Sequence, residues 1–173
     1  MPIIICPGVH SPELTDRFVQ SICERIEADY LILPTAEHPP YNAISVYQWL
    51  ERQQRSKTQP LSFIAFSAGV VGGIGAAMAW QLRGGNVRSF VALDGWGMPL
   101  GGNFSRYRVS HDAFTHWSSS ILGAGAEGFY ADPEVDHLEL WRSPEACRGW
   151  RIISPGCQTR DTLLNYLTNV LRS

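Results

Sequence analysis

The chain has 173 residues, 45% of them hydrophobic and 17% charged, which suits one globular domain with a substantial buried core. Its 14 Lys and Arg stand against 16 Asp and Glu for a formal charge of -2, and Lys57 is the only lysine. Nucleic-acid binding needs a basic face that releases counterions, and no such cluster is present, so that class of partner is excluded.

The apolar N-terminal stretch, residues 1–8, lacks the positive leader of a signal peptide, and no apolar run is long enough to span a bilayer. Cys6, Cys23, Cys147 and Cys157 show no CxxC spacing, so reduced thiols and a cytoplasmic location are expected. In chain order, Pro2–Cys6 reads as a buried strand ended by Pro7-Gly8. Ser11 or Thr15 caps a helix reaching about residue 28, with Leu14, Phe18, Val19, Ile22 and Ile26 at helical spacing. Residues 30–33 form a second strand and residues 43–55 a helix. Leu61–Phe66 is the third strand, Ala68–Leu82 a helix of small residues stopped by Gly84-Gly85, and Val87–Leu93 the fourth strand, ending at Asp94-Gly95. This alternation predicts an α/β three-layer sandwich with a mostly parallel central sheet, in a single domain over residues 1–173.

The second half is less regular. Residues 95–103 read as a glycine-rich loop, and residues 110–122 as a helix capped by Ser110 or Asp112. Residues 133–137 lead into a short helix with Pro144 near its end. Residues 150–153 are a candidate fifth strand, and residues 159–172 an amphipathic helix through Leu163, Leu164, Leu167, Val170 and Leu171. Four strands are clear on this reading, and five or six in all.

The sharpest signal is the run Ser62-Phe-Ile-Ala-Phe-Ser67-Ala-Gly-Val-Val-Gly-Gly73. An apolar strand runs into Ser67 and a helix starts at once, a turn that needs small residues two positions to either side; they are Ala65 and Gly69. The turn lifts the hydroxyl above the carboxyl edge of the sheet and aims the Ala68 N–H at a developing oxyanion. The plainer alternative is an ordinary helix N-cap serine. A dinucleotide fingerprint fails, because Gly73-x-Gly75 is followed by Met78 where the last glycine belongs, and these glycines lie inside the helix.

The serine turn resembles the nucleophile elbow of the α/β-hydrolase superfamily, G-x-S-x-G, with Ala65 in place of the first glycine. That resemblance implies a small, minimal serine hydrolase of the esterase or lipase type, with chain order nucleophile, acid, histidine. Asp94, at the carboxyl end of the next strand, is the candidate acid; Asp112, Asp132 and Asp136 are later ones. His137, followed by an alternating apolar stretch and Pro144, resembles the family's catalytic-histidine loop. His111 is the alternative base and His116 a further rival; the five-residue spacing of these two gives little support to a metal pair. The loop Cys6-Pro-Gly-Val-His10-Ser11 resembles the loop that supplies the second oxyanion donor, which makes the Val9 N–H the candidate donor and His10 a site-lining or substrate-binding residue.

Catalysis would then follow an acyl-enzyme route on a small-molecule acyl ester or thioester, with no metal or cofactor. Tyr41, Trp96, Phe104, Tyr107, Phe114 and Trp117, in loops above the sheet edge, are candidates for an apolar acyl pocket, a protein-binding patch or plain packing. Two other functions stand beside the enzyme. One is a non-catalytic ligand- or protein-binding module on a degenerate, contracted form of the same fold. The other is a phosphate-binding Rossmann-like domain, which the failed glycine pattern disfavours.

Overall fold

Strands that are apolar on both faces must be covered by helices on both sides, and the segments between the first four supply them. The computed structural model describes residues 1–54, 56–95, 97–123 and 127–173. Its first half runs β1 (Pro2–Cys6), α1 (Pro12–Cys23), β2 (Asp29–Ile32), α2 (Ala43–Gln53), β3 (Leu61–Phe66), α3 (Ala68–Leu82) and β4 (Val87–Leu93). The second half continues through β5 (Ser105–Ser110), α4 (Ala113–Ser120), β6 (Glu127–Ala131), α5 (His137–Arg142), β7 (Arg148–Ser154), β8 (Cys157–Thr162) and α6 (Leu163–Arg172). One eight-stranded sheet results, in the order β2-β1-β3-β4-β5-β6-β7-β8. Strands β1 to β6 are parallel; β7 runs antiparallel to β6, and β8 to β7.

The sheet is the middle of three layers. On one face Ile3, Ile5, Ile64, Phe66, Val91 and Leu93 pack with Phe18 and Ile22 of α1, Leu140 and Trp141 of α5, and the buried stripe of α6. On the other, Ile4, Phe63, Ala65, Phe90 and Ala92 meet Val46, Trp49 and Leu50 of α2 and the small residues of α3. α3, built of small and apolar residues, packs on the sheet and on α2 and leaves Val71, Met78 and Leu82 exposed. Its glycines serve that approach: a Cβ at Gly72 would overlap the Pro40 carbonyl, and one at Gly75 would crowd Ala43. They face protein and not a phosphate.

Several boundaries differ from the sequence reading. α1 stops at Cys23, and α2 is capped by the Asn42 side chain, which accepts from the N–H groups of Ile44 and Ser45. Arg55, the expected end of that helix, lies outside the described residues. The sheet is not contracted: β5, β6 and β8 were not expected, and each has a reason to hide. β5 carries the buried Arg108, whose guanidinium donates to the carbonyl oxygens of Met98, Leu122 and Gly123 at 2.7–3.1 Å, so a core residue looks like a surface one. β6 is short, Glu-Gly-Phe-Tyr-Ala. β8, Cys-Gln-Thr-Arg-Asp-Thr, is a mostly exposed edge strand held by β7 alone, so residues 159–162 are strand and α6 starts only at Leu163. No helix among the described residues is long and apolar enough to cross a membrane.

The registers align the carboxyl ends of the parallel strands. Cys6 pairs with Ala65, Phe66 with Leu93, Leu93 with Val109, and Ser110 with Tyr130. The residues that follow β1, β3, β4 and β5 therefore leave the sheet side by side. This edge carries Val9, His10, Ser67, Ala68, Asp94 and His111.

His116 of α4 points into the protein instead, against Tyr130 and over Gly128. Burial, with the nearby Arg108 cation adding to it, lowers its pKa from 6.5 to about 4. The unfolded chain therefore binds a proton that the folded one refuses, and stability falls as pH drops from about 6.5 toward about 4. The full effect is about 3 kcal/mol, and urea unfolding of His116→Gln across that window should show a correspondingly flatter profile than the wild type.

Candidate active site

The turn between β3 and α3 is strained at its serine. Ser67 sits at φ 53, ψ -122, a conformation that costs a non-glycine residue energy and is held by its surroundings. Its N–H donates to the Leu93 carbonyl at 2.9 Å, and its own carbonyl accepts from Val70 N–H at 3.0 Å. The side chain does not cap the helix, so the plain N-cap role goes unfilled. Gly69 is required by contact: a Cβ there would overlap the carbonyl oxygens of Cys6 and Pro7. A Cβ at Gly8 would lie 3.0 Å from Ser67 Cβ, so the loop after β1 closes directly on the serine. Ala65 is fully buried and tolerated. Among the described residues no acceptor takes the Ala68 or Val9 N–H, and Val9 is exposed.

Asp94, at the end of β4, also has positive φ (50) and a side chain only 2% exposed. A buried carboxylate must be hydrogen-bonded, and this one accepts three bonds. His137 Nδ1 donates to Oδ2 at 2.7 Å. His111 donates its backbone N–H to Oδ1 at 2.9 Å and its Nδ1 to Oδ2 at 2.8 Å. The two histidines read as rivals in the sequence are both partners of the same acid. His111 Nε2 is 3.1 Å from Asp112 Oδ2, whereas His137 Nε2 has no partner among the described residues. His137 is thus the imidazole with a nitrogen available as base.

The His137 ring lies over Phe66, the residue before the serine, with centroids 4.7 Å apart, and Phe66 stacks in turn on Trp141 at 5.1 Å. His10 packs tilted against both rings; its Nδ1 meets the Ser11 carbonyl at 2.9 Å, and its Nε2 is buried with no partner among the described residues. Ser67 Oγ makes no hydrogen bond among the described residues either.

Asp112 and Asp132 have other partners. Asp112 caps α4 by accepting from Thr115 N–H at 2.5 Å; burial raises its carboxyl, but Thr115 and His111 outweigh burial and hold it below its ordinary value. Asp132 accepts from Trp150 and pairs with Arg160, and Asp136 makes no side-chain cap at α5. Burial pushes the thiols of Cys6 and Cys147 up to about 12, Asp94 and Glu139 adding to it at Cys147, so neither is a thiolate near neutral pH.

The described candidate aromatics lie in different surroundings. Tyr107 is in the sheet core, Phe104 packs on Phe90, and Tyr41, Phe114 and Trp117 are exposed; Trp96 lies outside the described residues. The cavity beside the histidines, about 530 Å³, is lined by His111, His137 and the carboxylates Asp112, Glu134, Asp136 and Glu139. Ligand atoms of Asp94, His111 and His137 all lie within 4.8 Å of one another, close enough to share one metal ion.

No protein-family model matches the chain, and no curated protein matches it. Gly69→Ala should displace the serine turn from β1 and lower stability by about 2–4 kcal/mol in urea unfolding, whereas Ala65→Gly should cost about 1 kcal/mol.

Proposed function

We propose that this chain is a serine hydrolase of the α/β-hydrolase type, acting on carboxylic ester or thioester bonds through an acyl-enzyme. One observation carries the reading: a positive-φ serine that caps nothing leaves the sheet edge beside an Asp94–His137 pair bonded at 2.7 Å.

In this mechanism Ser67 Oγ attacks the substrate carbonyl while His137 Nε2 takes its proton. Asp94 accepts from Nδ1–H, which keeps the lone pair on Nε2 and stabilises the imidazolium that forms. The Ala68 and Val9 N–H groups receive the oxyanion. Collapse expels the alcohol or thiol, which leaves with the proton from His137. Water then attacks the acyl carbon with His137 again as base, releasing the carboxylic acid and restoring the Ser67 hydroxyl. His111 fixes both oxygens of Asp94, and His10 lines the wall beside Phe66. The proposed compartment is the cytoplasm, which fits four free thiols.

A fluorophosphonate probe should label the wild type and fail on Ser67→Ala. Hydrolysis of short p-nitrophenyl esters should fall about 10³–10⁴-fold in His137→Ala and in Asp94→Asn. His111→Ala, which loosens the acid without removing the base, should cost about tenfold to a hundredfold. Folded protein that never labels would favour the non-catalytic binding module. Activity that survives His137→Ala and dies in His111→Ala would move the base to His111.

A further inference from the structure

The hydrolase reading uses one imidazole, yet two converge on the same carboxylate oxygen, and the second has a carboxylate of its own behind it. We propose that Asp94 Oδ2, His111 Nδ1 and His137 Nδ1 form a binding site for a borderline divalent cation, Zn²⁺ above all, and that its occupancy switches the serine site off.

The donor set is two imidazoles and one carboxylate, which suits Zn²⁺ and not the oxygen-seeking Mg²⁺ or Ca²⁺. Both Nδ1 atoms already point at one oxygen, from 2.7 and 2.8 Å. Tetrahedral ligands around Zn²⁺ stand about 3.3 Å apart, so the two pairs that share Asp94 need to open by about half an ångström, and all three ligand atoms already lie within 4.8 Å of one another. Behind the first of these ligands, Asp112 Oδ2 stands 3.1 Å from His111 Nε2. That is the outer carboxylate that orients a metal-bound imidazole and raises its basicity. Access is open too: the His111 and His137 side chains are 29% and 43% exposed. They face a cavity whose other walls include Asp112, Glu134, Asp136 and Glu139, a concentration of negative charge that draws cations in.

Coordination through Nδ1 uses the lone pair on that atom and leaves the single proton of each neutral ring on Nε2. At His111 that proton is donated to Asp112. At His137 it occupies the position that would accept the Ser67 proton, so the metal-bound protein has no base. The inhibition therefore rests on the hydrolase reading, while the metal site itself does not.

The two are separated by measuring binding in the Ser67→Ala protein, where no catalysis intervenes. Titration calorimetry with Zn²⁺ should show one site, and Co²⁺ should give the visible absorption of a low-coordinate complex. His111→Gln and Asp94→Asn, checked for folding by circular dichroism, should abolish both signals, and Asp112→Asn should weaken binding about 10- to 100-fold. In the wild type, Zn²⁺ should suppress ester hydrolysis and fluorophosphonate labelling, with a chelator restoring them and Mg²⁺ having no effect. Absence of a Zn²⁺ site, or a site indifferent to His111→Gln and Asp94→Asn, overturns the proposal. So does hydrolysis that is unaffected or raised by bound Zn²⁺. Zinc binding at these residues in a protein that never hydrolyses esters or labels would sink the hydrolase reading and leave the metal site standing.

Discussion

The whole edge is organised by one close approach, that of the α3 N-terminus to the end of β1. There is no room for a side chain at Gly69, because the carbonyl oxygens of Cys6 and Pro7 occupy that space. With the helix start pressed so near the neighbouring strand, the chain must reverse within one residue, and Ser67 absorbs the reversal at φ 53. The strain is offset by packing on all sides: the Leu93 carbonyl takes the serine N–H, and Gly8 closes the loop against its Cβ. A strained residue persists only when its surroundings over-determine it.

Asp94 is the second organising element. Its carboxylate is almost wholly removed from water, a costly state for a charge unless strong donors meet it. Three do, from two different stretches of chain, and hydrogen bonds to a charged group are each worth about 1.5–3 kcal/mol. The acid thereby ties the end of β4 to the end of β5 and to the start of α5. One carboxylate therefore serves tertiary structure and site geometry together, and a hydrolytic base and a cation would draw on the same donors.

The layers explain why the site stays put. Phe66 belongs to the core between the sheet and α1, α5 and α6, and its ring carries His137 on one side of a stack that continues to Trp141 and Phe18. The imidazole is positioned by packing as much as by its hydrogen bond. Groups built on strand ends and stacked on core aromatics are placed more reproducibly than groups on free loops.

Local chemistry was enough to read β1, β3, α3 and β4 to the residue, since apolar runs buried on both faces and a helix of small residues leave little choice of period. The serine turn was legible for the same reason: Ala65, Ser67 and Gly69 lie within five residues, and their sizes declare the bend. The strands β5, β6 and β8 were not, because Arg108 satisfies loop carbonyls from inside the core and β8 is polar on an open edge. Nor could any local pattern say that His111 and His137 share Asp94. The two histidines lie 17 and 43 residues along the chain from the acid, and only the register of β4, β5 and β6 brings them to one oxygen. Residue sizes and periods act over a few neighbours, whereas a shared acceptor is a property of the assembled sheet.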